Sequence, residues 1–191
     1  MTNDELLKAT RVIKKQYARR NIEGYRSPYN DSFEYRSTYT LGIDEICRLI
    51  LMAPFFAIEP DTDSLLQARA EFDILVEHAG SAYAPEYWLV AFKDGNPVGY
   101  VFPQRYFDKM EEGSIFAIGV LPKFQGNGYG KVIHAKGLEM LAAMGVTSYV
   151  GSTEIENAPM IAIFLANGCE LTKVHTIEVD ENGIQRLINS K

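Results

Sequence analysis

The sequence predicts one α/β layered domain with a mixed, mostly antiparallel sheet flanked by helices. Helix-like and strand-like hydrophobic spacings alternate along the 191 residues. Two β-rich runs surround Asp94, Gly95 and Asn96, as expected for a β-hairpin. A glycine-rich segment, LPKFQGNGYGKV at residues 121–132, joins an apolar run to a helix-like pattern. We therefore expect residues 1–191 to form a single domain.

The first half of the chain is predicted to contain three helices and one strand. A helix over about residues 3–20 lies within an expected N-terminal helical extension, residues 1–30, and SFEYRSTYT then alternates like a strand. The helix IDEICRLILMAPF is expected to end near Pro54, and the helix in DTDSLLQARAEFDILVEHAG at Gly80. The basic stretch Lys8 to Arg20 is interpreted as a solvated helix face, as charge runs usually are.

The second half is predicted to begin with the hairpin YWLVAFKDGNPVGYVFPQ and a third strand, SIFAIGV. A helix over about residues 128–143 and the strand TSYVGS follow the glycine-rich segment. A short helix over residues 158–166 is expected to stop at Asn167-Gly168, before the strands ELTKVHTIEV and GIQRLIN. The predicted order is α-β-α-α-β-β-β-α-β-α-β-β.

Composition and hydropathy favour a globular protein that does not cross a membrane. Hydrophobic residues make up 47% of the chain and aromatic residues 12%. The first residues lack the pattern of a secretory signal, so we expect a cytoplasmic protein. The longest apolar run, residues 49–58, is interrupted by Pro54 and has about half of the ~20 residues needed to span a bilayer. It is predicted to be a buried element.

The distribution of charge argues against nucleic acid as a partner. The chain carries a net charge of −6, with +3 on residues 1–40 and −9 on residues 41–191. An acidic body favours cationic ligands instead. Cys47 and Cys169 are too few for a disulfide framework or a zinc site built from cysteine pairs, and we expect both to be small core residues. The three histidines show no ligand spacing, so no metal is expected.

Two phosphate-binding templates do not fit the glycine-rich segment. The Walker pattern fails because Gln125 replaces its first glycine and Val132 replaces its Ser or Thr. The dinucleotide fingerprint fails because Gly126, Gly128 and Gly130 are spaced two and two, not two and three. What remains is a turn whose backbone N–H groups, at the start of a helix, favour a pyrophosphate. The glycines alone leave open a tight turn without a ligand.

The same residues resemble a known family. The stretch from Gln125 to Gly130 resembles the Gln/Arg-x-x-Gly-x-Gly/Ala signature of the GCN5-related N-acetyltransferase (GNAT) superfamily, and Val120-Leu121-Pro122 precedes it as in that family. The resemblance continues through Asn157 to the helix ending in FLANGCEL, and it is best over residues 86–180. It implies a GNAT-like fold whose central strands, SIFAIGV and TSYVGS, split apart.

The resemblance implies acetyl-CoA as co-substrate. The turn amides would hold its pyrophosphate, and its pantetheine arm would lie as an added strand along the backbone of Ile118 and Val120. An N–H near Ile118 would stabilise the oxyanion. The residues implied in cofactor binding are Ile118, Gly119, Val120, Gln125, Gly126, Asn127, Gly128, Tyr129, Gly130, Lys131, Asn157 and Phe164. For Asn157, a helix N-cap is the alternative role.

The catalytic residues of the family match this sequence less well. Ser114 stands where some members carry a Glu that acts as the general base. Glu112, two residues earlier on the same strand face, is our first candidate for the base. A solvated surface carboxylate is the alternative for Glu112. Phe164 stands where many members place a Tyr that protonates the thiolate, and phenylalanine cannot donate a proton. The candidate substitutes are Ser152, Tyr100 and Tyr106.

The resemblance implies an N-acetyltransferase that acts by direct attack of a primary amine in a ternary complex. A small-molecule acceptor is expected, with a peptide amine as the alternative. A non-catalytic acyl-CoA-binding sensor or interaction domain is the alternative function, favoured by Ser114 and Phe164. A different nucleotide-binding module rests on the glycines alone. Residues 1–30 would cover the site or pack on a partner subunit of a homodimer. The acceptor side is expected to include Tyr100, Gln104, Tyr106, Asp108 and residues of EGYRSPYNDS.

Overall fold

The computed structural model describes residues 11–30, 32–53, 64–179 and 185–190. Its strands and helices follow the predicted order from residue 34 onward. The strands are β1 (Arg11–Asn21), β2 (Glu34–Ser37), β3 (Leu89–Lys93), β4 (Asn96–Arg105), β5 (Glu112–Val120), β6 (Ser148–Glu154), β7 (Glu170–Val179) and β8 (Gln185–Ser190). The helices are α1 (Ile43–Met52), α2 (Ser64–Ala79), α3 (Tyr129–Ala143) and α4 (Ala158–Ala166).

The hydrogen-bonded strand order is β2-β3-β4-β5-β6-β1-β7-β8. Adjacent strands run antiparallel in the pairs β2/β3, β3/β4, β4/β5, β1/β7 and β7/β8, whereas β5 and β6 run parallel. The prediction of a mixed, mostly antiparallel sheet flanked by helices is therefore confirmed. None of the helices among the described residues is long and apolar enough to cross a membrane.

The described chain divides into two compact units. One contains residues 11–20 together with 150–179 and 185–190, and the other contains residues 21–149 with the gaps given above. The boundary falls inside β6, between residues 149 and 150. The expectation that residues 1–191 form one domain stays a prediction.

The expected N-terminal helix is wrong for residues 11–20, which form strand β1. Eight positions of β1, from Arg11 to Arg19, pair with β7. Ile13 and Ala18 are buried, but they are an odd number of residues apart and so belong to opposite faces of the strand. The residues that pair with β1 lie about 150 to 170 positions later in the sequence. The local sequence, which is rich in Lys and Arg, therefore did not indicate a strand. Residues 1–10 lie outside the described part of the chain.

In the unit formed by residues 21–149, helices pack on both faces of β3, β4 and β5. Tyr100 and Phe102 of β4 belong to a cluster with residues of α1 and α2, which we call the aromatic cluster. Val101, between them, belongs to a second cluster with Ile133 of α3, which we call the aliphatic cluster. Since successive residues of a strand point to opposite faces, α1 and α2 cover one face and α3 covers the other.

Local turn chemistry explains several element boundaries. Asp94 and Gly95 both have positive φ angles, of 50° and 75°, as a two-residue hairpin turn requires. Gly80 (φ 53°) follows α2, and Gly168 (φ 66°) follows α4, so both helices end at glycines that adopt the left-handed conformation. Cys47 and Cys169 are buried and free, which confirms that they are small core residues.

Candidate active site

The glycine-rich segment forms a tight turn between β5 and α3. Gly126 and Gly128 have φ angles of 78° and 73°, in the left-handed region that side chains disfavour. Gly128 is the N-cap of α3 and has no side chain with which to cap the helix. The first N–H groups of an α-helix lack intrahelical acceptors and lie at the positive end of its dipole. The turn therefore offers backbone donors to an anion.

Two side chains stabilise the turn by binding its carbonyl groups. The side-chain amide of Gln125 donates to the carbonyl of Val120 at 3.0 Å. That of Asn127 donates to the carbonyls of Phe124 at 3.1 Å and Gln125 at 3.2 Å. The N–H groups of Phe124 and Gln125 are bonded within the turn, to the carbonyls of Leu121 and Pro122, so the first N–H groups of α3 are the donors that the turn offers to a ligand. The sequence signature is thus explained by backbone geometry.

A cavity of about 380 Å³ lies beside this turn. Its walls include Gly128, Tyr129 and Lys131 from the start of α3, and Lys93 from β3. The ammonium group of Lys93 donates to the Tyr129 hydroxyl at 2.9 Å, and this hydrogen bond raises the pKa of Lys93, which keeps it charged. The ammonium group of Lys131 lies 5.6 Å from the ring centre of Tyr29. Cationic side chains therefore adjoin the glycine turn.

Residues from EGYRSPYNDS form the remaining wall of this cavity. They are Pro28, Tyr29, Asn30 and Ser32, followed by Phe33. We expected this segment on the acceptor side, and the structure places these residues beside the glycine turn instead. Phe33 packs edge-on against Tyr129 with ring centres 5.0 Å apart, which fixes the segment next to α3.

Strand β5 contains a bulge shortly before the residues predicted to bind the thioester. Phe102 pairs with Ala117 but the next residue, Pro103, pairs with Ile115, so Phe116 is the extra residue. Proline has no N–H to donate, which accounts for the interrupted ladder at this position. Ile118, Gly119 and Val120 follow the bulge and pair with β4.

The other edge of β5 pairs with β6 at its beginning. The parallel pairs are Glu112 with Ser148 and Gly113 with Tyr149. Among the described residues, no strand pairing is found on this edge from Ser114 to Val120. An unpaired strand edge presents N–H and C=O groups to which an extended ligand can add.

Tyr100 lies directly against Gly119 on the face of the sheet covered by α1 and α2. A Cβ atom added at Gly119 would be 2.7 Å from Cζ of Tyr100, so only glycine fits there. The Tyr100 hydroxyl donates to the carbonyl of Ala53 at the end of α1. Burial, together with the negative charge of Glu71, raises the pKa of Tyr100 well above its usual range. Tyr100 is therefore neutral at physiological pH, and its hydroxyl is a hydrogen-bonding group.

The predicted base, Glu112, is the first residue of β5 and is half-buried. Its backbone is fixed on both sides, since its N–H donates to Lys109 at 2.9 Å and its carbonyl accepts from Tyr106 at 3.1 Å. Ser114, two residues on, pairs with Gln104 of β4. Because Gly113 between them faces Leu141 of α3, the side chains of Glu112 and Ser114 belong to the opposite face, where Tyr100 lies.

Three predicted site residues belong to the other unit. Asn157 is the N-cap of α4, and its side-chain oxygen accepts from the N–H of Met160 at 3.1 Å, so the capping role is confirmed. Phe164 is 1% exposed. Ser152 lies on β6 and is exposed. The roles of Asn157, Phe164 and Ser152 toward acetyl-CoA stay predictions.

Sequence reasoning missed one buried carboxylate. Glu71 of α2 is 5% exposed, although glutamate is usually a surface residue. Its spacing from Ala68, Phe72 and Leu75 could have shown that it shares their buried helix face. Lys93 was missed as well, because its approach to Tyr129 depends on sheet packing.

The fold and the glycine turn are those of a known protein family. Residues 45–168 match the model of the acetyltransferase (GNAT) family, and the chain belongs to that family. The resemblance noted in the sequence is thereby confirmed.

Curated relatives carry the name mycothiol acetyltransferase. The protein from Streptomyces griseus subsp. griseus is 27% identical over 127 residues, which cover 66% of this chain and 40% of that protein. The protein from Sanguibacter keddieii is 30% identical over 131 residues, with coverages of 66% and 40%. This chain spans about two fifths of the length of these relatives.

Solved structures share the fold at low sequence identity. A GCN5-related N-acetyltransferase from Sphaerobacter thermophilus superposes with a TM-score of 0.65 at 15% identity, covering 93% of this chain and 53% of that one. The ribosomal-protein-S18-alanine N-acetyltransferase from Escherichia coli gives a TM-score of 0.53 at 19% identity, with coverages of 71% and 76%. These likenesses show the fold alone.

Proposed function

We propose that this chain is an N-acetyltransferase that transfers acetyl from acetyl-CoA to a primary amine by direct attack in a ternary complex. The observation that carries the proposal is the turn from Gln125 to Gly130. Gly126 and Gly128 adopt left-handed φ angles, and the turn leads into α3, whose first N–H groups lack intrahelical acceptors and can donate to a pyrophosphate. Family membership supports the same reading.

The cavity beside the turn fits the nucleotide end of acetyl-CoA. The ammonium groups of Lys93 and Lys131 provide positive charge for phosphate, and the rings of Tyr29, Phe33 and Tyr129 provide apolar surface for a base. The unpaired edge of β5 fits the amide-containing pantetheine arm, with Ile118 and Val120 supplying backbone groups. Acetyl-CoA supplies the activated acyl group, and the N–H near Ile118 is the proposed oxyanion donor.

Glu112 is the proposed proton acceptor for the attacking amine. It belongs to the same face of the sheet as Tyr100 of β4, and the opposite face packs against α3. An ammonium group must lose a proton before it can attack, so removal of the carboxylate should lower turnover. Ser152 is proposed as the group that assists the departing thiolate. A small-molecule acceptor is proposed, in line with the names of the curated relatives.

Two measurements test this function. Calorimetry should detect acetyl-CoA binding, and replacing both Lys93 and Lys131 by Ala should weaken it about tenfold or more, most strongly at low salt. Lys109→Ala, which changes an exposed lysine outside the cavity, is the matched control. Failure of the wild-type chain to bind acetyl-CoA at millimolar concentration would refute the proposal.

Thiol release from acetyl-CoA in the presence of primary amines tests the reaction itself. Glu112→Gln should lower kcat about 100-fold or more, whereas Glu111→Gln, at the exposed neighbouring carboxylate, should leave it unchanged. Binding of acetyl-CoA without turnover on any amine would favour the alternative, a non-catalytic acyl-CoA sensor. That alternative is favoured by Phe164, whose buried ring offers no proton to a thiolate.

A further inference from the structure

The backbone groups at the end of β5 alternate between its two edges. The N–H of Leu121, directly after β5, donates to the carbonyl of Val98 on β4 at 2.9 Å. In an antiparallel pair every second residue bonds to the partner strand, so Gly119 also bonds toward β4. The N–H and C=O groups of Ile118 and Val120 therefore point toward the other edge of β5, where no strand pairs with them among the described residues.

Gly119, between these two residues, is enclosed by β4. Its carbonyl oxygen would lie 2.3 Å from a Cβ atom added at Gly99, so the two strands approach closely there. On the face toward α1 and α2, a Cβ atom at Gly119 would lie 2.7 Å from Cζ, 2.8 Å from Cε1 and 2.9 Å from the hydroxyl oxygen of Tyr100. The tyrosine ring therefore occupies the space that a side chain at Gly119 would need.

The far end of the Tyr100 ring is fixed by α1. Its hydroxyl donates to the carbonyl of Ala53, the C-cap residue of α1. The last carbonyl groups of an α-helix lack intrahelical donors, so this hydrogen bond also satisfies an acceptor at the helix end. Phe102 stacks on the ring with centres 5.0 Å apart, and Tyr100 is 1% exposed. The contact between Tyr100 and Gly119 therefore connects the end of α1 to the end of β5.

We infer that Tyr100 is a positioning residue: by holding Gly119 against β4, it orients the neighbouring peptide groups for the thioester and the pantetheine arm. This inference rests on the proposed function, which assigns those peptide groups to acetyl-CoA. An oxyanion donor acts only when it is aimed at the place where the charge develops, and a displacement of about 1 Å can lower a rate about 100-fold. The sequence suggested Tyr100 as a proton donor to the thiolate, and the role inferred here acts through the backbone instead.

Ligands with and without a pantetheine arm test the inference. Acetyl-CoA, and adenosine 3′,5′-bisphosphate as the nucleotide end alone, are titrated by calorimetry at a temperature where every variant is folded, and acetyl transfer to a panel of primary amines is measured in parallel. Tyr100→Leu removes the ring atoms that touch Gly119. It should weaken acetyl-CoA binding and lower kcat about tenfold or more, and leave affinity for the bisphosphate unchanged. Tyr100→Phe keeps the ring, loses the hydrogen bond to Ala53 and should have a smaller effect. Phe72→Leu, at another buried ring of the aromatic cluster, is the matched control and should leave both affinities and kcat unchanged.

A second substitution tests the contact itself. The φ angle of Gly119 lies outside the left-handed region, so alanine there meets the Tyr100 ring without backbone strain. Gly119→Ala should therefore weaken acetyl-CoA binding and lower kcat about tenfold or more in the wild type. In the Tyr100→Leu background the clashing ring atoms are gone, and the same substitution should have a smaller effect. An equal effect in both backgrounds overturns the inference.

The outcomes separate this inference from the proposed function. If Tyr100→Leu leaves acetyl-CoA affinity and kcat unchanged, or weakens binding of acetyl-CoA and the bisphosphate equally, Tyr100 has a packing role only and the proposed function stands. Acetyl-CoA binding that depends on Tyr100, without transfer to any amine, keeps the inference and refutes the proposed function. If the wild-type protein does not bind acetyl-CoA, both fail.

Discussion

The two faces of the sheet in residues 21–149 are built differently. Toward α1 and α2, aromatic rings stack, with Phe102 4.9 Å from Trp88 and 5.0 Å from Tyr100 between ring centres. Toward α3, the aliphatic cluster contains no aromatic residue among its fully buried, described members.

The two faces also differ in their polar groups and in their glycines. The aromatic face encloses polar atoms of Glu71, Gln104 and Trp88 that lack hydrogen-bond partners in the described chain. The α3 face depends on glycines at points of closest approach, such as Gly113 and Gly137. The α3 face therefore holds the start of α3 by close packing, whereas the aromatic face encloses polar atoms without hydrogen-bond partners among the described residues.

The largest loss of stability is expected on the aromatic face. Phe102→Ala removes a fully buried ring from the stack and should lower the free energy of unfolding by about 3–5 kcal/mol. Denaturant unfolding measures this loss of free energy. Phe107→Ala, at a ring that is 62% exposed, is the control and should change stability by less than about 0.5 kcal/mol. Equal effects of the two variants would contradict the assignment of the aromatic cluster as a core.

On the α3 face, stability should depend on the absence of a side chain. At Gly99, an added Cβ atom would lie 2.3 Å from the carbonyl oxygen of Gly119 and 3.0 Å from Cδ1 of Ile133. Gly99→Ala should therefore cost about 1–3 kcal/mol and displace Gly119, weakening acetyl-CoA binding as well. Gly42→Ala, where nothing lies within 4 Å and φ is −69°, should be close to neutral in the same unfolding experiment.

The glycine turn, residues 125–130, should lose acetyl-CoA affinity when its backbone is strained, without any change in packing. A Cβ at Gly128 would be 3.6 Å from Cε of Lys131, which is ordinary contact, but the φ angle of 73° disfavours a side chain. Gly128→Ala should raise the free energy of the turn's left-handed conformation by about 1–2 kcal/mol, which corresponds to roughly 5- to 30-fold weaker acetyl-CoA binding. Gly128→Asn should lose less, because Asn tolerates left-handed conformations. Calorimetric titration with acetyl-CoA measures the affinity of each variant. An equal loss of affinity in Gly128→Ala and Gly128→Asn would point to a direct side-chain effect.

Local signals in the sequence were sufficient for most of the elements. Asp94-Gly95 predicted the hairpin, Gly80 predicted the end of α2, and the segment ELTKVHTIEV coincides with β7. The glycine turn was also readable, since its spacing excluded two phosphate loops and its residues matched a family signature. In each case the determining residues are neighbours in sequence.

Features that depend on distant residues could not be predicted. Strand β1 is held by pairing with residues 170–179, so its basic sequence alone suggested a helix. The bulge at Phe116 arises from Pro103 on the adjacent strand. The side of the site on which Tyr29 lies follows from packing that no local pattern encodes.

The smallest predicted effect is a pH dependence that belongs to the aromatic face. Burial raises the pKa of Glu71 in the folded state above its unfolded value, so the folded protein holds this proton more tightly. The carboxyl is protonated in both states below the unfolded pKa of about 4.3, and there it costs nothing. As pH rises toward the raised folded pKa, ionisation favours the unfolded chain, and stability is lost over that window.

Glu71→Gln removes this titration. The free energy of unfolding of the variant relative to wild type should therefore increase as pH rises from about 4 through the raised pKa, and then level off. Any constant offset reflects how the amide fits, whereas the change with pH reports the carboxyl alone. Denaturant unfolding across this pH range measures it, with Glu77→Gln as the exposed control. A difference in unfolding free energy that does not change with pH would mean that Glu71 is solvated in the folded protein. The contrast between the two faces would then lose its electrostatic basis.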